Sequence, residues 1–500
     1  MLRKNDLDAF IDYLQDSSGL NSGNAQEIVF PETEQEALDY FKEASQNKIP
    51  LTISGAGTGI VGGRIPWGGT ILSTEGLKKI IDIEKFKDKP GGTALIEPGV
   101  SVEQLCEEAA KYGLIYLPDP TERNAYIGGT VAANASGAKG FKYGSTRWHI
   151  LGLHVILPTG QLLNIQRGEG TIKNKLHIPI KNGIALSCSL PAYSLPKVKN
   201  TAGYHIFPGS DLIDLFIGSE GTLGMVSKIK VTLGELPQQD FTSVIFFKIQ
   251  AQALEFVLKL KERTYQSRRQ KKINDIDAAC IEYFDEYALD ILRGKYRQIA
   301  VGQKAAVYFS QDVFDEQGMN IMEEYAGFID SLKIKDNQIW FSSSERNKEL
   351  INAMRYDLPV LINERVKENG FSKISTDISV SDYNFPAMFE FYERRLRNTS
   401  IPFCVFGHIG ENHLHVNLMP ENERDFLKGK NLYLEFIQEA VRLGGTVSAE
   451  HGIGKLKREY LKIMLGVKGI HEMAVIKQTI DPDLILNQGT IFEESVFRPL

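Results

Sequence analysis

The sequence predicts an α+β protein, and three observations carry that prediction. Strand-like runs and capped helices alternate through the first half; glycine density falls near Gln238, where charge-rich helical patterns begin; residues 401–418 return to strand-like character. At roughly 150 residues per domain, 500 residues allow about three units, and the pattern divides them as 1–24, 25–238 and 239–500. The opening MLRKNDLDAFIDYL spaces its leucines and aromatics for a short amphipathic helix. EIVFPETEQEALDYFKEASQNKIPLTIS then reads as strand, helix, strand, with Thr33 and Glu36 as a capping box and Ala37, Leu38, Phe41 and Ala44 on one helix face. A second capping box, Ser101 with Gln104, opens a helix whose stripe is Val102, Leu105 and Ala109. LGLHVILPTGQLL is a hairpin turning at 158–160, and GMVSKIKVTL is an alternating strand. Helical patterns follow in ALEFVLKLKERTYQSRRQ and NIMEEYAGFIDSL, and NLYLEFIQEAVRLGG ends on a glycine C-cap signal.

Composition excludes several classes. An apolar fraction of 42% and a charged fraction of 24% rule out a wholly disordered chain. With 57 basic against 63 acidic residues the net charge is −6, which argues against a nucleic-acid partner. Cys106, Cys188, Cys280 and Cys404 are too scattered for a zinc ribbon, an iron–sulfur run or a disulfide framework. The expected address is therefore a reducing compartment, the cytoplasm. The N-terminus lacks the apolar core of a secretory signal, and no run approaches the roughly 18 apolar residues of a membrane span. Membrane contact is expected to be peripheral at most, at the inner membrane.

Two sequence regions carry chemistry. In GAGTGIVGG, five of the nine residues from Gly55 to Gly63 are glycine, directly after the apolar run PLTIS. Such a loop lets backbone N–H groups approach a phosphate. No Gly-Lys-Ser/Thr follows, so it is not a Walker A loop, and the dinucleotide GxGxxG spacing fits poorly. A second small-residue region runs from Pro118 to Gly144, and LFIGSEGTLGMVSKIKV forms a third.

These three blocks, in this order, resemble the PCMH-type FAD-binding domain of the vanillyl-alcohol oxidase superfamily. The resemblance implies a pyrophosphate loop at Ser54, Gly55, Ala56, Gly57, Thr58 and Gly59. It implies ribityl and isoalloxazine contacts at Pro118, Asp119, Thr121, Gly128, Gly129, Asn134, Gly137, Tyr143, Gly144, Glu220, Gly221 and Val226, with Asn487 near the C-terminus. Some members attach FAD through a histidine or cysteine near these loops. Here no histidine precedes His149 and Cys106 falls in an expected helix, so FAD is expected to be noncovalent.

The second region is HIGENHLH, which holds His408, His413 and His415 within eight residues, while SAEHGIG supplies Glu450 and His451. On a strand His413 and His415 share a face, and Gly410 with Asn412 permits a turn that returns His408 to them. By spacing alone the set reads either as a zinc or manganese site with an open position or as a polar network at a domain seam. FGHIGENHLHVNLMP, TVSAEHGIGKLKREYL and DPDLILNQGTIF resemble the C-terminal domain of FAD-linked D-2-hydroxyacid dehydrogenases, the glycolate oxidase large subunit, D-lactate and D-2-hydroxyglutarate dehydrogenase group. That resemblance implies a divalent ion, zinc or manganese, on His408, His415 and Glu450, a general base in His451, and substrate contacts from Asn417, Arg355 and Lys373, with Arg365 a competitor on the same helix. The chain departs from the pattern at Asn412 and His413, where relatives commonly have Gly-Asn, which leaves His413 open as a replacement ligand, an added ligand or an outer partner.

The implied activity is oxidation of a small D-2-hydroxy acid to the 2-oxo acid with hydride passed to flavin. The sequence offers no internal relay, so the acceptor is expected to be external: a quinone, a cytochrome, an electron-transfer flavoprotein or an iron–sulfur subunit. A homo-oligomer is expected. Two competing readings are a non-redox, FAD-using ether-lipid synthase and a flavin-binding subunit of a larger complex.

Overall fold

In a computed structural model of the chain, residues 1–180, 185–272, 275–314, 318–342 and 344–497 are described. Contacts divide it into two units. The first comprises Met1–Gly137, Ser145–Glu235 and Val447–Leu500; the second comprises Ala138–Gly144 and Leu236–Thr446.

The first unit contains a four-stranded sheet in the order Leu2–Lys4, Glu27–Phe30, Thr70–Ser73, Leu51–Ser54. Its last three strands run parallel, and the Glu34–Asn47 helix supplies the crossover. That helix buries Ala37, Tyr40, Phe41 and Ala44 against Val29, Leu51 and Leu72. Thr33 caps it by accepting the Glu36 N–H at 3.2 Å. The reciprocal half of the expected capping box is displaced by one residue: Glu36 accepts from the Glu32 N–H at 2.9 Å, and its other oxygen takes the Met1 ammonium at 2.5 Å. At the second helix, Val102–Ala110, the Ser101–Gln104 box is complete, with both bonds at 3.0 Å.

The opening segment is not a helix. Leu2–Lys4 pairs antiparallel with Glu27–Phe30, and Leu7–Ala9 and Ile11–Leu14 form only 3₁₀ turns. The open sheet edge satisfies backbone groups that a short isolated helix would leave marginal, and burying Phe10 against Ile28, Phe30 and Ile71 completes the exchange.

An antiparallel sheet follows in the order Ile80–Lys85, Gly92–Ile96, Met225–Glu235, Ile150–Ile156, Leu162–Gln166. The last two strands are the expected hairpin, turning with Gly160 at φ 74°. The chain end rejoins this unit: Leu51 donates its N–H to Ile485 O at 2.7 Å and accepts from the Asn487 N–H at 2.8 Å.

The second unit is built on a sheet in the order Ile339–Phe341, Gln239–Phe247, Ala305–Val313, Cys280–Asp285, Phe403–Gly407, His413–Leu418, Ile374–Ser375. The helical middle anticipated from charge spacing is present in Gln250–Gln270, Gly318–Ser331 and Glu345–Asn369, but three strands interleave with it. Cys280–Asp285 and Ala305–Val313 lack the usual polar alternation because they are buried on both faces along their whole length. Among the described residues no helix is long and apolar enough to cross a membrane.

Candidate active site

The glycine blocks of the first unit line one cavity of about 400 Å³, within the range of cofactor sites. Its wall includes Gly55, Ala56, Gly57, Thr58 and Gly59 from the first block; Thr121, Gly128, Gly129 and Gly137 from the second; Glu220, Gly221 and Val226 from the third; and Asn487, Glu450 and His451. Ser54, Pro118, Asp119 and Asn134 belong to the same unit but not to that lining. Tyr143 and Gly144 belong to the second unit, where the Tyr143 hydroxyl donates to Asp312 at 2.6 Å.

The first loop leaves the Leu51–Ser54 strand and turns through Gly57 at φ 81°, where a Cβ would stand 2.3 Å from the Arg64 guanidinium carbon. Arg64 fixes that turn by donating to Gly55 O at 3.0 Å, to Asp12 O at 2.8 Å and to Gln15 O at 2.7 Å. A Cβ built on Gly59 or Gly129 meets no protein atom within 4 Å, so at both positions the backbone borders open space. Small residues there let main chain approach a flat ligand and its phosphates, and these features fit FAD.

Glu220 ties the blocks together. It adopts the left-handed conformation at φ 54° and is buried. Its two carboxylate oxygens accept the Ile453 and Gly454 N–H groups, each at 2.7 Å. Its carbonyl accepts from Asn487 Nδ2 at 3.0 Å, and Asn487 Oδ1 accepts the Ile53 N–H at 2.9 Å. Burial pushes the Glu220 carboxyl up to about 7 against the opposing pull of those amides and of Lys457 and Lys455.

The loop held this way carries Glu450 and His451, whose Oε1 and Nε2 lie 3.4 Å apart. Lys199, buried, pairs with Glu450 Oε2 at 2.8 Å, and the Ser136 hydroxyl reaches the same oxygen at 3.3 Å. Thr201 anchors the neighbouring backbone, accepting the Gly452 N–H at 3.1 Å. Lys199 and Arg64 are site residues that sequence reasoning missed, since each acts through partners far along the chain.

In the second unit, Phe403–Gly407 and His413–Leu418 pair antiparallel around a 3₁₀ turn at Ile409–Glu411. Asn412 closes the turn at φ 54°, and the His413 N–H donates to His408 O at 3.1 Å. The turn gathers the three imidazoles, with ring centroids 5.6 Å apart for His408 and His413, 5.7 Å for His408 and His415, and 4.5 Å for His413 and His415. One ring nitrogen from each lies within 4.8 Å of the others. Each ring also meets an oxygen: His408 Nδ1 is 3.3 Å from Glu282 Oε1, His413 Nε2 is 3.0 Å from Asp377 Oδ1, and His415 Nδ1 is 3.0 Å from Thr376 O. Oxygen partners of this kind fix the tautomer and orientation of a metal-binding histidine, so the residues fit a divalent ion.

Arg355 lies on the Glu345–Asn369 helix, is buried, and donates through Nε to Glu282 Oε1 at 2.7 Å. Burial alone would raise the Glu282 carboxyl, but Arg355 and His408 outweigh it and hold the group well below the usual range. Arg365, by contrast, is exposed. Lys373 makes no ion pair or hydrogen bond among the described residues, and burial lowers its ammonium below the ordinary value. Asn417 is buried, its Nδ2 donating to His415 O at 3.1 Å.

Residues 25–166 match the family described as FAD binding domain, and residues 245–491 match FAD linked oxidases, C-terminal domain. The chain thus carries an FAD binding domain and an FAD-linked oxidase C-terminal domain. Among its relatives is the glycolate oxidase subunit GlcD of Bacillus subtilis, 28% identical, the match covering 93% of this chain and 88% of that protein. A D-lactate dehydrogenase of Anaerostipes hadrus is 29% identical, covering 96% and 92%, and a D-2-hydroxyglutarate dehydrogenase of Xanthomonas citri is 27% identical, covering 94% and 90%. Two solved structures of alkyldihydroxyacetonephosphate synthase share the fold at TM-scores of 0.64 and 0.65, with 17% identity over 97% of this chain and 82% of theirs.

Proposed function

We propose that the protein oxidises a small D-2-hydroxy acid to the 2-oxo acid using noncovalently bound FAD, and passes the electrons to an external acceptor. The observation that supports this reading is the Glu450–His451 pair in the wall of the glycine-lined cavity, which would set an imidazole beside a flavin bound there. His451 is also the only histidine of that lining, which contains no cysteine to tether a flavin. The relatives named for glycolate, D-lactate and D-2-hydroxyglutarate support the substrate class.

Bound FAD supplies a two-electron acceptor, and a divalent ion on the histidines supplies a Lewis acid. The remaining work falls to side chains. His451 accepts the proton of the C2 hydroxyl at Nδ1, with Glu450 facing its Nε2 and Lys199 offsetting the carboxylate charge. Arg355, Lys373 and Asn417 recognise the substrate carboxylate; Lys373 is suited to this because it is a sheltered cation with no anion on it among the described residues. His408, His415 and Glu450 are the metal ligands of this reading. The four cysteines are free thiols at separate positions, which supports an acceptor from outside the chain.

The test is the visible spectrum of the purified protein under anaerobic conditions, before and after adding D- and L-2-hydroxy acids. Bleaching of the flavin bands by one D-enantiomer is expected. A flavin spectrum that no hydroxy acid changes would reject the proposed oxidation.

A further inference from the structure

We propose that His413 is itself a metal ligand, so that this chain presents a face of three imidazoles, from His408, His413 and His415, to a transition metal of the zinc type. The proposal rests on the function above and deepens it at the metal. Position 413 holds a histidine with no solvent exposure. Its ring stands closer to His415 than either stands to His408, at 4.5 Å between centroids. The Asp377 carboxylate, 1% exposed, meets its Nε2 at 3.0 Å.

That contact decides the chemistry of the ring. A carboxylate 3.0 Å from Nε2 favours the proton on that side and leaves Nδ1 for a metal. Thr376 O, at 3.0 Å from His415 Nδ1, favours Nε2 as the donor atom of that ring, and Glu282 Oε1 stands 3.3 Å from His408 Nδ1. One nitrogen from every ring falls within 4.8 Å of the other two. Three imidazoles that each bring one nitrogen to a common point form a nitrogen-donor set. Imidazole donors favour zinc, iron, nickel or copper over the oxygen-seeking magnesium and manganese, and three of them leave a further position for substrate.

The test uses the full-length, FAD-loaded protein, stripped with a chelator and titrated with zinc alone against a competing dye. Zinc X-ray absorption of the wild type should fit three imidazoles. Asp377→Asn should weaken zinc by the roughly 10- to 100-fold that loss of an outer partner costs, and His413→Asn by more than that. A two-imidazole shell in the wild type, or His413→Asn within a few-fold of wild-type affinity, would overturn the assignment. If His413→Asn fails to retain flavin, the wild-type absorption spectrum alone decides. A two-imidazole shell with intact bleaching by a hydroxy acid rejects His413 and leaves the proposed oxidation standing. Three imidazoles without bleaching do the reverse.

Discussion

Replacing Glu282 by glutamine tests the electrostatic frame of the second unit. The carboxylate and the Arg355 guanidinium are 4% and 9% exposed, and Oε1 accepts from Arg355 Nε at 2.7 Å. Glutamine keeps the size and one acceptor but removes the charge, leaving Arg355 buried without a counter-ion. Breaking a buried pair from one side costs about 3–5 kcal/mol. For a unit of roughly 200 residues each kcal/mol moves Tm by about 2–4 °C, so calorimetry of the full chain should show one transition lowered by about 6–20 °C. Because the Glu282 carboxyl is held well below its ordinary value, its contribution is present above the unfolded-state value and lost only as pH falls through the lower native one. The penalty should therefore be the same at pH 8 and pH 5. The double variant Glu282→Gln/Arg355→Met removes both charges and should recover most of the loss. A shift under about 2 °C, or a double variant that falls by the sum of the two singles, would refute the reasoning.

Other outcomes follow from the first unit. His451→Ala should slow flavin reduction by a hydroxy acid by about 10²- to 10⁴-fold, as for loss of a general base, with the flavin spectrum of the resting protein unchanged; stopped-flow absorbance checks it. Gly129→Ala meets no protein atom within 4 Å but lies in the cavity wall, so the FAD-free protein should melt no lower than wild type while FAD affinity falls by about tenfold, a loss of roughly 1.4 kcal/mol. Glu220, raised to about 7, favours its protonated form in the native state; its stabilisation is full below the unfolded-state value and lost as pH rises through 7. Wild-type, FAD-free protein should therefore lose up to about 3 kcal/mol between pH 4.5 and 8 from this group, and Glu220→Gln should remove that part of the slope in denaturant titrations at the two pH values.

What could be read from the sequence was whatever rests on local patterns. The Ser101–Gln104 box, the 150–163 hairpin and the return of His408 towards His413 and His415 all depend on residues a few positions apart, and each appears as expected. The glycine blocks were legible because a backbone that must approach a flat ligand tolerates few other residues. The opening segment was misread because its aromatic spacing suits a helix, whereas the open edge beside Glu27–Phe30 offers its backbone better partners. Glu282, Asp377, Lys199 and Arg64 were invisible for a different reason. Each is an ordinary charged residue until the fold brings its partner near; Glu282 is 73 positions from Arg355, and the Ser136–Glu450 contact spans 314.

Asn412 shows how a departure from a family motif can preserve the backbone and change the chemistry. The turn between the two histidine strands needs a left-handed residue, which glycine fills freely and asparagine tolerates better than most. Asn412 takes that conformation at φ 54° and adds what glycine cannot: its Nδ2 donates to Val380 O at 3.1 Å and to Asp382 at 2.8 Å, and its Oδ1 accepts from Lys261 Nζ at 2.8 Å. The turn is thereby fastened to the chain around Asp382 and to the Gln250–Gln270 helix. The adjacent His413, fully buried at the start of the His413–Leu418 strand, therefore follows a turn anchored by three side-chain hydrogen bonds.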